Sequence, residues 1–228
     1  MDLIEIVGIE GHIQTTYLAI YPDKLLLLDG GSRPDAAKIL SYIRDTLKRP
    51  LSDLKTVVAT HMHPDHAGGV KLLKRKTGCV IVSADKSTPW YKGVEGRLNH
   101  LLDIGLAYFV ANRQGKALEY LWYNPIIEPD VKVQEGDPVP YFDDWQILET
   151  PGHTDRDLSL WHRPSHRVYT ADLILRIKGK YVAPYLVSLP EVYCASLKKI
   201  QTLAPTEVLL AHGGREKIEE QVFTDLIT

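Results

Sequence analysis

The chain has 228 residues, 44% of them hydrophobic, and a formal net charge of −2 from 27 basic and 29 acidic residues. That length and apolar content suffice for one substantial core, and the near-neutral balance excludes the broad basic face that nucleic acid or an anionic membrane would need. Cys79 and Cys194 allow at most one disulfide and lack the close Cys/His spacing of a zinc–thiolate motif, so both read as buried, unreactive thiols. The opening MDLIEIVGIE lacks a basic segment followed by a continuous apolar one, and no apolar run reaches the roughly 18 residues of a membrane span. A cytoplasmic protein is the expectation.

In chain order, LIEIVGI, TTYLAIY and LLLLD read as three strands separated by turn signals, a β-meander ending at Gly30-Gly31. Ser32 with Asp35 suggests a helix N-cap, and Ala36, Ile39, Leu40, Ile43 and Leu47 keep helical spacing after it. KTVVA is a buried strand that runs straight into THMHPDHAGG; a short helix through Val70, Leu73 and Thr77 follows, and CVIVSA returns as a strand.

From about Asp85 to Asn124 the pattern changes. Leu98, Leu101, Leu102, Gly105, Leu106, Phe109 and Val110 recur at helical spacing, and Leu118, Leu121 and Trp122 suggest a second helix, so the segment reads as an inserted helical pair. Its apolar stripe predicts packing against the domain or a second subunit; the alternatives are a lid over an apolar pocket or a surface-binding element. Beyond it, VKVQ, WQILET, DLSLWH and RVYTADLI read as closely spaced antiparallel strands. Ser188 and Glu191 form a capping-box pattern for a helix to about Leu203, and TEVLLA is the last strand, ending at His212-Gly213-Gly214. Each half thus supplies strands and then a covering helix, which predicts an α/β (α+β) chain of two packed sheets with helices outside, one domain over residues 1–228.

His61-Met62-His63-Pro64-Asp65-His66 puts four ligand-type side chains into six residues, a spacing expected by chance on the order of once per thousand such chains. On an extended segment positions i and i+2 point the same way, so His61 and His63 can grip one ion, while Asp65 and His66, past the turn at Pro64, face another point. Two adjacent ions are the more natural reading. His153, Asp172 and His212 each follow an apolar strand pattern and would bring further ligands to one edge of a sheet sandwich.

This ordered pattern resembles the metallo-β-lactamase superfamily, in which a His-x-His-x-Asp-His motif is followed by a His, a bridging Asp and a final His on a four-layer αββα sandwich. The resemblance implies that His61, His63 and His153 hold one divalent ion, that Asp65, His66 and His212 hold the second, and that Asp172 bridges them. Asp29, ending LLLLD, resembles the family's first motif and would orient the ligand loop by hydrogen bonds. Ligation by nitrogen and oxygen suits zinc and also admits manganese, iron or cobalt. The implied activity is that of a dinuclear metal-dependent hydrolase using a metal-bridging hydroxide, with Asp65 as the catalytic residue that orients it and carries its proton.

Within that resemblance a small ester, thioester or lactone is the expected substrate, with phosphodiester hydrolysis, including nuclease action, and an iron-dependent sulfur dioxygenase as alternatives. Only about 14 residues follow Gly214, which argues against a glyoxalase II-type thioesterase with its C-terminal helical domain; the lack of a signal peptide argues against antibiotic hydrolysis. No nucleic-acid or membrane partner is expected, and a homodimer through the insertion is the one protein contact foreseen. His162 and His166 flank a turn in surface or capping roles, His12 is a weak substrate-contact candidate, and Tyr181 and Tyr185 are candidate proton donors without a compelling spacing.

Overall fold

The computed structural model describes residues 2–227. The chain forms two compact units, one up to Lys132 and one from Val133 onward.

The first unit is built on a six-stranded sheet in which β1 (Glu5–Glu10), β2 (Thr15–Ile20) and β3 (Leu25–Leu27) form the expected antiparallel meander. β3 then pairs in parallel with β4 (Leu54–Ala59), and β4 in parallel with β5 (Val80–Ala84). Leu25, Leu26, Leu27, Val57 and Val58 are buried without exception, as continuous apolar runs in a parallel sheet require. The crossover from β3 to β4 is α1 (Asp35–Ser41), extended by a π-helical turn over Tyr42–Thr46. Ser32 does not cap α1: Pro34 occupies that position, and the Ser32 hydroxyl instead donates to Asp35 Oδ2 at 2.6 Å. The side chain closes the turn ahead of the helix rather than satisfying the helix's own N–H groups.

From β4 the chain enters α2 (Pro64–Ala67) and then α3 (Val70–Thr77), which ends at Gly78 in a left-handed conformation. Gly68 and Gly69 sit at this corner because backbone packs there. A Cβ on Gly69 would lie 2.5 Å from the Gly30 carbonyl oxygen, and its N–H donates to Gly31 at 2.9 Å.

The insertion holds one long helix, α4 (Gly93–Arg113); the second helix expected around Leu118–Trp122 is irregular chain. The buried face of α4 is also not the predicted stripe. His100, Ile104, Ala107 and Ala111 are buried, whereas Leu98, Leu101, Leu102, Leu106 and Phe109 are exposed. Both faces are apolar, so periodicity could not choose between them; small Gly96, Ala107 and Ala111 allow close approach of the inner face. Ile104, Ala107, Ala111, Leu121 and Tyr123 join the core of Leu18, Leu27, Val57, Val70 and Ile81. β6 (Val131–Val133) completes the sheet.

The second unit carries a six-stranded sheet in the order β14-β13-β10-β9-β8-β7. Its strands are β7 (Pro138–Val139), β8 (Phe142–Glu149), β9 (Leu158–His162), β10 (Arg167–Tyr169), β13 (Glu207–Leu210) and β14 (Gly214–Glu216). β8, β9 and β10 are antiparallel as expected, while β13 joins β10 in parallel. A small hairpin of β11 (Leu175–Ile177) and β12 (Lys180–Val182) and a helix α6 (Glu220–Ile227) had no clear sequence signal. α5 (Pro190–Thr202) begins at Pro190 with Leu189 as its cap and no side-chain capping bond, so the Ser188–Glu191 box does not form. Tyr193, Leu197 and Ile200 of α5 pack with Val168, Ile174, Val208 and Leu210.

Among the described residues no helix is long and apolar enough to cross a membrane. Both cysteines are free thiols, and burial pushes the Cys79 thiol up, which suits the inert role expected of it.

Candidate metal centre

In the first unit the ligand motif begins where β4 ends. His63, extended at φ −64° and ψ 154°, is the N-cap of α2, and Pro64 takes the first helical position, where its missing N–H costs nothing. The i, i+2 geometry expected of the histidine pair is present: His61 Nε2 lies 3.1 Å from His63 Nδ1. Two nitrogens bound at about 2.0–2.1 Å to one tetrahedral ion stand roughly 3.3 Å apart, so this pair fits a shared divalent cation. Asp65 and His66 lie on α2, with His66 Nε2 3.6 Å from Asp65 Oδ2.

The opposite nitrogen of His66 is fixed from far away in sequence. Asp29 Oδ2 lies 2.5 Å from His66 Nδ1, and both side chains are fully buried. The same carboxylate accepts the Thr60 hydroxyl at 2.9 Å and the Gly30 N–H at 2.9 Å. With Nδ1 held by a carboxylate, the ring presents Nε2 for coordination, which is how an outer carboxylate selects a histidine tautomer.

Two further pins on the motif escaped sequence reasoning. The Gln14 side-chain amide, from the β1–β2 connection, donates to the Asp65 carbonyl, and the Tyr123 phenol, from the insertion, donates to the Met62 carbonyl. Burial pushes the Tyr123 phenol well above its ordinary range, so it stays a donor. Neither residue belongs to a recognisable local pattern.

In the second unit, His153, Asp172 and His212 sit at the ends of β8, β10 and β13, as their sequence positions suggested. They meet there. His153 Nε2 is 3.6 Å from Asp172 Oδ2 and His212 Nε2 is 3.4 Å from Asp172 Oδ1, so each carboxylate oxygen faces a different histidine. His153 Nδ1 lies 2.6 Å from the Leu186 carbonyl, which requires the proton on that nitrogen and leaves Nε2 as an acceptor or ligand.

The His153 loop is held by Asp157, which accepts the Thr154 N–H and hydroxyl, each at 2.6 Å. Burial pushes its carboxyl up to about 6, against the lowering influence of His153 and these bonds. Beneath the loop, Gly152 has φ +153°, and a Cβ there would lie 2.6 Å from Tyr193 Cα. α5 is thus the floor on which His153 rests. Ser196 adds a hydroxyl bond to the Pro151 carbonyl at 2.7 Å.

His12 is buried, and its backbone N–H donates to Asp35 at 2.6 Å. His162 is not a surface residue: it is buried, 3.0 Å from Asp144 and 2.7 Å from Ser165, because it lies on β9 rather than past its end. His166 closes the turn in a left-handed conformation. Tyr181 donates to Glu216 at 3.1 Å, and Tyr185 is 88% exposed.

Residues 9–212 match the family model described as "Metallo-beta-lactamase superfamily". The probable metallo-hydrolase YqjP of Bacillus subtilis (strain 168) is 27% identical over an alignment of 207 residues that covers 84% of this chain and 64% of that protein. A hydroxyacylglutathione hydrolase of Rhodopseudomonas palustris is 27% identical over 145 residues, 63% of this chain and 42% of that one. The chain therefore spans less than two thirds of the length of either relative. Among solved structures, an archaeal metallo-beta-lactamase superfamily protein, ST1585 from Sulfolobus tokodaii, superposes with a TM-score of 0.70 at 18% identity, covering 97% of this chain and 84% of that one. That likeness shows the fold, the mixed α/β class expected from the sequence.

Proposed function

Since the chain belongs to the metallo-β-lactamase superfamily, we propose that it is a dinuclear metal-dependent hydrolase acting on a small ester, thioester or lactone. The observation that carries this reading is Asp172 between His153 and His212, one oxygen toward each ring, together with the facing nitrogens of His61 and His63. In this reading His61, His63 and His153 would hold one ion and Asp65, His66 and His212 the other, with Asp172 a ligand available to both. Zinc is the proposed metal, since imidazole and carboxylate donors without thiolate suit it.

Bound divalent ions supply a nucleophile from water at neutral pH and polarise the oxygen of the attacked group. The protein's part is orientation and proton handling. Asp29 holds His66 by Nδ1 and the Leu186 carbonyl holds His153 by Nδ1, and the Asp65 carboxylate would accept the proton that the attacking water gives up. The relative named hydroxyacylglutathione hydrolase supports including thioesters in the substrate class. A cytoplasmic location is part of the same proposal.

The test is metal quantification on the purified chain, joined to turnover of an ester, thioester, lactone and phosphodiester panel. Two metal equivalents and turnover of an acyl substrate, abolished by His63→Ala, are expected. Activity that survives His63→Ala, or a blank acyl panel with both metals bound, overturns the reading.

A further inference from the structure

His63 has a second neighbour that the ligand motif does not supply. While Nδ1 faces His61, its Nε2 lies 3.8 Å from Oδ2 of Asp103, and both side chains are largely buried. Asp103 stands on α4, one position before the buried Ile104, so it reaches His63 from the inserted helix. Its Oδ2 also accepts the phenol of the buried Tyr91 at 2.7 Å. Tyr91 and Tyr123 in turn pack edge-on against the buried His100 ring, at centroid distances of 5.0 and 4.9 Å. The carboxylate is therefore held from behind by a buried aromatic group and faces the ring nitrogen of His63 that does not face His61.

We propose that Asp103 is a positioning residue for His63: its carboxylate, 3.8 Å from Nε2, favours the proton on that nitrogen by charge and so leaves Nδ1 for the metal. The inference rests on the metal-site reading above. An imidazole whose far nitrogen is hydrogen-bonded to a carboxylate is fixed in tautomer and orientation and is a more basic ligand. Asp29 performs this task for His66 by a direct hydrogen bond from the end of β3, and in the proposal Asp103 performs it for His63 from the insertion through the field of its carboxylate at 3.8 Å. The insertion then has a chemical tie to the ligand set in addition to its packing, which a segment serving only as a cover would not need.

The experiment is zinc binding to the metal-stripped full chain, measured by competition with a chromogenic chelator, for the wild type, Asp103→Asn, Asp103→Glu, Tyr91→Phe and His63→Ala. Asp103→Asn should weaken zinc binding by about 10- to 100-fold, the usual effect of losing such a partner. Asp103→Glu should recover most of it, and Tyr91→Phe should cost severalfold. Combined with His63→Ala, Asp103→Asn should add no further loss, because its effect passes through that ring. Thermal unfolding of each metal-free variant reports folding separately, and Tyr91→Phe carries the test if Asp103→Asn fails to fold. Wild-type affinity in Asp103→Asn, or in Tyr91→Phe where Asp103→Asn does not fold, overturns the proposal, as does an equal loss in the His63→Ala background. A wild type that binds no zinc overturns the metal-site reading together with this proposal; a wild type that binds zinc, with an unaffected Asp103→Asn, overturns this proposal alone.

Discussion

Asp29 and His66 are joined through Oδ2 and Nδ1 at 2.5 Å, 37 residues apart in sequence and fully buried. The pair ties the end of β3 to α2, so a strand of the meander governs the direction of the His66 ring. Asp29→Asn should keep the volume but lose the charge-assisted bond, weakening metal binding by about 10- to 100-fold. Isothermal titration with zinc measures it, and an unchanged affinity would show that the pair is only a packing contact.

Gly152 should not tolerate a side chain. Gly152→Ala combines an unfavourable φ of +153° with a Cβ 2.6 Å from the Tyr193 backbone, so either α5 or the His153 loop must move. A drop of about 2 kcal/mol or more in unfolding free energy is expected, together with weakened metal binding. Gly105→Ala is the control: a Cβ there meets nothing within 4 Å in the middle of α4, and the change should stabilise by about 0.5–1 kcal/mol. Urea denaturation of the two variants compares them directly.

The inner and outer faces of α4 should separate cleanly in mutagenesis. Ile104 is 8% exposed and Leu102 69%. Ile104→Ala should cost about 2–5 kcal/mol and Leu102→Ala within about 0.5 kcal/mol. Equal losses in thermal unfolding would mean that the face carrying Leu102 is also covered in solution, as a homodimer through α4 requires. Sedimentation of the wild type would then decide that contact.

His100 predicts a loss of stability in mild acid. Burial among Tyr91, Trp122 and Tyr123 lowers its pKa from the ordinary 6.5, so the folded state holds the ring neutral while the unfolded chain protonates it. The unfolded state therefore binds more protons as pH falls below about 6.5, and stability is present above that value and declines below it. His100→Phe should flatten the dependence of melting temperature on pH between about 7 and 5. A slope equal to the wild type's would assign the acid sensitivity to other groups.

Local spacing in the sequence was enough to show four ligand-type residues packed into a short turn after a buried strand, and three more at strand ends. Alternation and apolar runs likewise told the meander, β4, β5 and the β8–β10 region apart from the helices. Such features are written over a few residues, because side-chain direction repeats every two positions in a strand and every three to four in a helix. The inner face of α4 was not legible that way, since both of its faces are apolar and only the surroundings select one.

The supports of the site were equally hidden. Gln14 on the Asp65 carbonyl, Tyr123 on the Met62 carbonyl, Asp103 beside His63 and Asp157 under Thr154 are ordinary polar residues in their own neighbourhoods. Their partners come from chain folding, which brings carboxylates and amides to buried polar groups that must be satisfied. By itself the sequence determined the superfamily and a set of ligand-type side chains at strand ends. The tertiary structure decided which nitrogen of each ring is held and by what, because a hydrogen bond across 37 residues depends on strand register and helix packing that no local pattern records.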